Sequence, residues 1–393
     1  MKLKMYVPAF TGIRAIAAFC VFLHHYNQTC YPYPLFRIFN DLHIGVSMLF
    51  VLSGFLICHR YYETSSISSE WYSQYLKNRL ARVYPMYFLL TVLTFFVAAI
   101  ANNTEVYKQL TPHWLIIVLN LTFLRGFFND IKFTGLAQGW SMTVEETFYL
   151  LAPFFFLCLK KRSGAIWQLP LTILLLGAIA IGAFKSVTWW GFLQNGQFVF
   201  IYTFFGRCID FFIGIFLALY MRNTVATKRF FPLFTIMGIL LMACGVAVMA
   251  SVTLPKGIHY GLYHPIGTLA NNILLPVGAG LFFYGLLQES SIIRQLLASG
   301  LMQKLGKISY CFYLIHIGWL ASIVCSVVNG GMEQMVDWLD DHEYWQLKSA
   351  LDHLTINIFI VFVVLNTIAY LLWRYIEEPL HQYIKKSSFF VSN

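Results

Sequence analysis

The sequence predicts an all-α protein, a polytopic membrane bundle of about ten transmembrane helices with both termini on the cytoplasmic side. Three observations carry this. Hydrophobic residues make up 59% of the 393 positions and charged residues 11%, against about 25% charged in soluble domains. The apolar residues gather into windows near 20 residues long, the length that crosses a hydrocarbon core. Most of the 27 lysines and arginines fall in connections on one side, among them Arg60, Lys77, Arg162, Lys228 and Lys386, as the positive-inside rule requires of cytoplasmic loops. The whole chain, 1–393, reads as a single integral membrane domain.

The predicted spans are 8–27, 43–60, 83–101, 141–159, 167–185, 198–220, 231–253, 266–288, 307–328 and 355–376. Lys2 and Lys4 before the first imitate a secretory signal. Arg14 inside the apolar core and the lack of a small-x-small cleavage site make it a retained helix instead. The net charge of +10 does not imply a nucleic-acid partner, because that needs basic residues clustered on one soluble surface. Eight cysteines lie scattered, mostly in apolar runs, without C-x-x-C or Cys/His spacing, so neither disulfide nor metal site is expected. Two outer loops are long: 102–140, with a half-apolar piece from Trp114 to Phe123, and 329–354, which is acidic. No soluble domain is expected before the first helix or after the last, and no internal repeat of the transporter kind is visible.

The first span carries the most telling residues. A charge at the centre of a membrane helix costs roughly 2.5–3.5 kcal/mol on insertion scales, so it usually faces a cavity or a partner. Arg14 and His25 are eleven positions apart, which leaves them about 20° apart in azimuth and about 16 Å apart in height. His24 falls about 80° to one side. Arg14 and His25 thus share a face, although a helix-end histidine and a carbonyl-satisfied arginine would account for them without chemistry.

In the second span Gly45, Ser47, Ser53 and Gly54 form a small-residue surface suited to close helix packing. At the third, Arg79 and Arg82 share a face ahead of Tyr84 and Pro85. Guanidinium groups at a helix start suit a phosphate-bearing ligand, and plain membrane anchoring suits them equally. The fourth opens with Glu145 and Glu146, which point about 100° apart. On this topology they lie on the outer side with His25, where a carboxylate could orient a histidine. Arg207 and Asp210, three apart, pair with each other. Ser309, Tyr313 and His316 follow i, i+4, i+7 and make a polar stripe.

These segments together resemble the acyltransferase 3 family of integral membrane O-acyltransferases. The resemblance rests on Gly12-Ile13-Arg14-Ala15-Ile16-Ala17 with His25, the Gly45-Val46 to Phe55 run, Arg79-x-x-Arg82-x-Tyr84-Pro85, Trp140-Ser141-x-x-x-Glu145-Glu146, and Leu305-Gly306-Lys307-Ile308-Ser309-Tyr310 ending at His316. Five motifs in order cover about residues 8 to 380. The resemblance implies transfer of an acyl group, acetyl in the first instance, from cytoplasmic acetyl-CoA or another acyl-CoA to a hydroxyl of a cell-surface or lipid-linked carbohydrate. The donor is a substrate, with no bound cofactor expected, and the setting is the bacterial inner membrane. Carried over, Arg14 and His25 match the family's arginine-histidine pair, Arg79, Arg82 and Tyr84 its cytoplasmic donor-binding motif, and Glu145 and Glu146 its glutamate motif. His25 would act as general base or as acyl carrier.

Where the family usually has aspartate after Gly-Val, this chain has Ser47. Either another acid, such as Glu145 or Glu146, takes its place or activity is altered. The chain resembles the stand-alone branch, without a fused esterase-like domain, which can act alone or with a separate glycan-assembly partner. A transporter or flippase for a lipid-linked glycan would use the same polar face.

Overall fold

A computed structural model of the chain describes residues 7–26, 33–102, 112–224, 231–341 and 354–387. The helices are α1 (Pro8–His25), α2 (Tyr33–Asn40), α3 (Ile44–Tyr61), α4 (Ser69–Ile100), α5 (His113–Leu121), α6 (Trp140–Lys161), α7 (Ala165–Phe184), α8 (Gly196–Tyr202) and α9 (Phe204–Asn223). There follow α10 (Leu233–Ser251), α11 (Pro265–Leu269), α12 (Leu275–Gln288), α13 (Ile292–Leu297), α14 (Gly300–Ile315), α15 (Trp319–Asp341), α16 (Leu354–Leu372) and α17 (Glu378–Lys386). Among the described residues the only β-type pairing is one bridge, Phe128 with Phe192.

Eight described helices are long and apolar enough to cross a membrane, and α14 with α15 makes a ninth as a broken span. Beside these lies α1, whose apolar run carries Arg14, His24 and His25. The bundle therefore has about the ten spans expected.

Small residues set its closest approaches. A Cβ on Gly45 would lie 2.0 Å from the Ala17 carbonyl oxygen, and one on Gly306 would lie 1.9 Å from that of Thr11. A Cβ on Gly54 would likewise lie 2.2 Å from the Phe211 carbonyl oxygen, and one on Gly214 would lie 2.1 Å from that of Val51. Backbone-to-backbone contact of this kind is how membrane helices gain packing energy where lipid supplies no hydrophobic drive. It seats α1 between α3 and α14, and locks α3 to α9.

The ninth expected span, 307–328, is not continuous. Gly318 adopts φ +100°, which only glycine takes without strain, and α15 leaves at 95° to α14. A helix end inside a bundle exposes carbonyls that need donors, and side chains supply them. His316 Nδ1 bonds the Tyr313 carbonyl at 2.7 Å, Tyr26 donates to the His316 carbonyl at 3.0 Å, and Gln138 donates to that of Leu314. The expected acidic outer loop is thus helical as far as Asp341, and its remainder, 342–353, lies outside the described residues. In the other outer loop the half-apolar piece forms α5, and 103–111 lies outside the described residues. Behind α5 the fully buried Arg125 donates to the Asn120 side chain at 2.6 Å and to the Leu136 carbonyl.

Candidate active site

A cavity of about 1460 Å³ opens between α1, α3, α4, α6, α9 and α14. Arg14, Arg79, Arg82 and Glu145 all line it, although they come from three separate helices. Arg14 is close enough to Arg82, Arg79 and Glu145 to feel their charges. Glu145 is the acid of the α6 pair that faces this space. Tyr149, one turn on, donates to it at 2.5 Å, and Ser53 of α3 donates to it as well. Two hydroxyl donors hold the carboxylate on the α3 side of the cavity, so it does not orient His25. Glu146, rotated about 100°, is buried with Oε1 free of any hydrogen-bond partner and close enough to Arg79 to feel its charge.

Arg79 donates to the Tyr61 hydroxyl at 3.1 Å, and its guanidinium lies over the Tyr61 ring, which Arg60 also approaches. Tyr84 does not join this group. It lies about 200° around the helix from Arg82, and its ring packs against Phe88 and Phe123 instead.

His25 does not line the cavity. It belongs to a file of four imidazoles at the C-terminal end of α1, His43, His24, His25 and His316, with successive ring centroids 5.5, 4.7 and 5.2 Å apart. Between cavity and file stands Tyr313, whose hydroxyl pairs with that of Ser141 at 2.8 Å and whose ring lies 5.6 Å from that of His316. The carbonyl bonded to His316 Nδ1 can only accept, so Nδ1 carries the proton in the neutral ring and Nε2 keeps its lone pair. That Nε2 is buried and unpartnered. Among the described residues no group of three or more His, Cys, Asp or Glu is arranged to hold a metal ion.

Ser47 faces a different acid from those expected. Arg207 of α9 donates to its hydroxyl at 2.7 Å while gripping Asp210 at 2.9 and 3.1 Å. All three are at most 1% exposed. The carboxylate beside Ser47 is therefore that of Asp210.

The i, i+4 spacing already puts Tyr149 on the face of Glu145, but sequence reasoning missed Ser53 as a partner of that carboxylate, and Glu377, just before Pro379, reads in sequence as part of a helix stop. A π-turn over Trp373–Glu377 rewinds the helix so that Glu377 is buried and accepts from Cys311 Sγ at 2.9 Å. It sits near enough to Arg82 and Arg14 to feel both charges. A carboxylate two residues before Pro379 was the available signal.

The fold and site define a multispan helix bundle enclosing a basic cavity, with the Glu145 carboxylate in its wall and imidazoles beyond Tyr313. The chain belongs to the acyltransferase 3 family, whose acyltransferase domain matches residues 7–374. It is 26% identical over 201 residues to the peptidoglycan O-acetyltransferase OatA of Listeria monocytogenes, covering 47% of this chain and 29% of that protein. It is 28% identical over 176 residues to the O-acetyltransferase OatA of Staphylococcus aureus, covering 40% and 26%. Against the acyltransferase MdmB of Streptomyces mycarofaciens it is 25% identical over 373 residues, covering 88% and 84%. The matched regions thus span under a third of the OatA proteins' own length. No solved structure matches the chain.

Proposed function

We propose that this protein transfers an acyl group, in the simplest case acetyl, from a cytoplasmic acyl-CoA to a carbohydrate hydroxyl at the outer face of the bacterial inner membrane. The observation that carries the reading is the vertical order of the site. On the expected topology Arg79 and Arg82 stand toward the cytoplasmic end of the cavity, Arg14 and Glu145 beyond them, and Tyr313 leads from the cavity to His316 and His25. The height from Arg14 to His25 is about 16 Å. A pantetheine arm, with two amides and their methylenes, amounts to roughly four or five residues of extended chain, about 15 Å. Phosphates held by the arginines would leave the thioester within reach of the histidines.

In this mechanism Arg79 and Arg82 hold phosphate through charge-assisted bonds. Arg14, opposed by Glu145, aligns the arm. His25 removes the proton from the acceptor hydroxyl as its oxygen attacks the thioester carbonyl, and the CoA thiolate leaves and takes up a proton. The similarity to the peptidoglycan O-acetyltransferase OatA supports a glycan acceptor, and that to the acyltransferase MdmB, matched over most of both chains, supports acyl transfer as the chemistry.

The broken span α14–α15 also suits a glycan transporter, since half-helix ends mark transporter sites. One experiment separates the two. Membranes carrying the wild-type chain or His25→Ala are given labelled acetyl-CoA, and both thiol release and label in the glycan fraction are followed. Acyl transfer requires both signals in wild type and neither above background in the variant. Undiminished labelling with His25→Ala would overturn the proposed role, and a wild type that releases no thiol would leave the transporter.

A further inference from the structure

We infer that the cytoplasmic mouth of the cavity contains a second anion subsite, built on Arg222 and Arg60, for the phosphate furthest from the reacting end of the donor. We infer also that Glu63 fills this subsite when the donor is absent. The inference rests on the CoA-thioester reading above and adds residues to it that no family motif supplies.

The cavity is lined by five arginines but by only two carboxylates, Glu63 and Glu145. The arginines fall into two levels. Arg79 and Arg82 act on Arg14, whereas Arg222 acts on Cys58, His59 and Tyr62 at the far end of α3. The deeper pair answers one anionic group. A CoA thioester carries two: a pyrophosphate at the root of the pantetheine arm, and a 3′-phosphate on the ribose beyond it. The order from mouth to depth, Arg222 then Arg79 and Arg82 then Arg14, runs parallel to the order of 3′-phosphate, pyrophosphate and arm.

Arg222 is itself only half satisfied. Its Nη2 meets Glu63 Oε1 at 2.5 Å, and its guanidinium lies 5.1 Å from the centroid of the Tyr62 ring. Its Nη1 is buried with no hydrogen-bond partner. A guanidinium presents a planar fork that suits two oxygens of one phosphate, and here one oxygen of a carboxylate occupies one arm. Glu63 is the movable partner, since its side chain is 51% exposed against 23% for Arg222. Arg60 lines the same cavity, and its guanidinium, like that of Arg79, lies 5.2 Å from the centroid of the Tyr61 ring. An incoming 3′-phosphate would take both arms of Arg222, and Glu63 would turn out to solvent.

The test uses the full chain in maltoside micelles, which contribute no phosphate, with CoA and 3′-dephospho-CoA as titrants. Wild type is expected to prefer CoA. Arg222→Gln should weaken CoA by about tenfold, the loss of one charge-assisted contact, and leave 3′-dephospho-CoA within about twofold. Glu63→Gln, a surface change that does not threaten folding, should tighten CoA alone. Equal weakening of both titrants by Arg222→Gln, or weaker CoA binding with Glu63→Gln, would overturn the subsite. A wild type that binds the two equally would overturn it while leaving the donor reading in place, and one that binds neither would end both.

Discussion

Asp210 should be replaceable by a carboxylate at position 47. Its side chain takes two bonds from Arg207, at 2.9 and 3.1 Å, in a site where neither residue is more than 1% exposed. Asp210→Asn keeps the shape and removes the charge, leaving a guanidinium inside the bundle with an amide oxygen, the Ser47 hydroxyl and the Phe50 ring around it but no bonded carboxylate. Breaking a buried pair from one side costs about 3–5 kcal/mol, a factor of roughly 10² to 10³ or more in the folded fraction. Ser47 Oγ already sits 2.7 Å from Arg207 Nη2, so an aspartate there can reach the same nitrogen. The variant S47D/D210N should recover at least half of the lost stability, whereas S47D alone should be destabilised, because two carboxylates would crowd one guanidinium. Thermal melting in detergent, followed by size-exclusion recovery, measures all four proteins. If D210N melts with wild type, or the double variant melts no higher than D210N, the relocated-carboxylate account is wrong.

Other expectations follow from single contacts. Gly54→Ala places a Cβ 2.2 Å from the Phe211 carbonyl and should cost about 1–3 kcal/mol as α3 and α9 separate, while Gly182→Ala, with open space around it, should melt no lower than wild type. Glu145→Gln keeps an acceptor for Ser53 and Tyr149 but removes the charge opposite Arg14, so acyl transfer should fall by about 10² or more with melting unchanged; near-normal transfer would remove Glu145 from the mechanism. Tyr313→Phe deletes the hydroxyl pair with Ser141 that separates cavity from histidines, and acetyl-CoA hydrolysis without transfer should rise, measured as thiol release in the absence of acceptor.

Much of the architecture was legible because membrane spans are written in composition. Apolar windows placed α3, α6, α7, α9, α10 and α16 within a few residues, and the i, i+3 spacing of Arg207 and Asp210 announced their pairing. The break at Gly318 was not legible, since a glycine in an apolar run signals close packing as readily as a left-handed turn. Helical geometry alone would have removed Tyr84 from the arginine face, because two positions turn a side chain about 200°. It could not show that Glu145 would be held by Ser53, 92 positions away, or that the acid beside Ser47 would come from 160 positions on, through Arg207. Such pairings are properties of the assembled bundle.

The seating of α1 has a further consequence, for biogenesis. Its backbone touches α14 where Gly306 meets Thr11, and it touches α13 where Gly12 meets Leu297. About 300 residues of chain separate these partners, which at about 5–20 residues per second is roughly 15–60 s of synthesis. Through that interval α1 holds Arg14 without the helix that will wall its cavity. Insertion of α1 must then tolerate a guanidinium by snorkelling or by local water, and α3, made soon after, is an early shelter. The cavity is closed only when α14 docks against a helix made long before it.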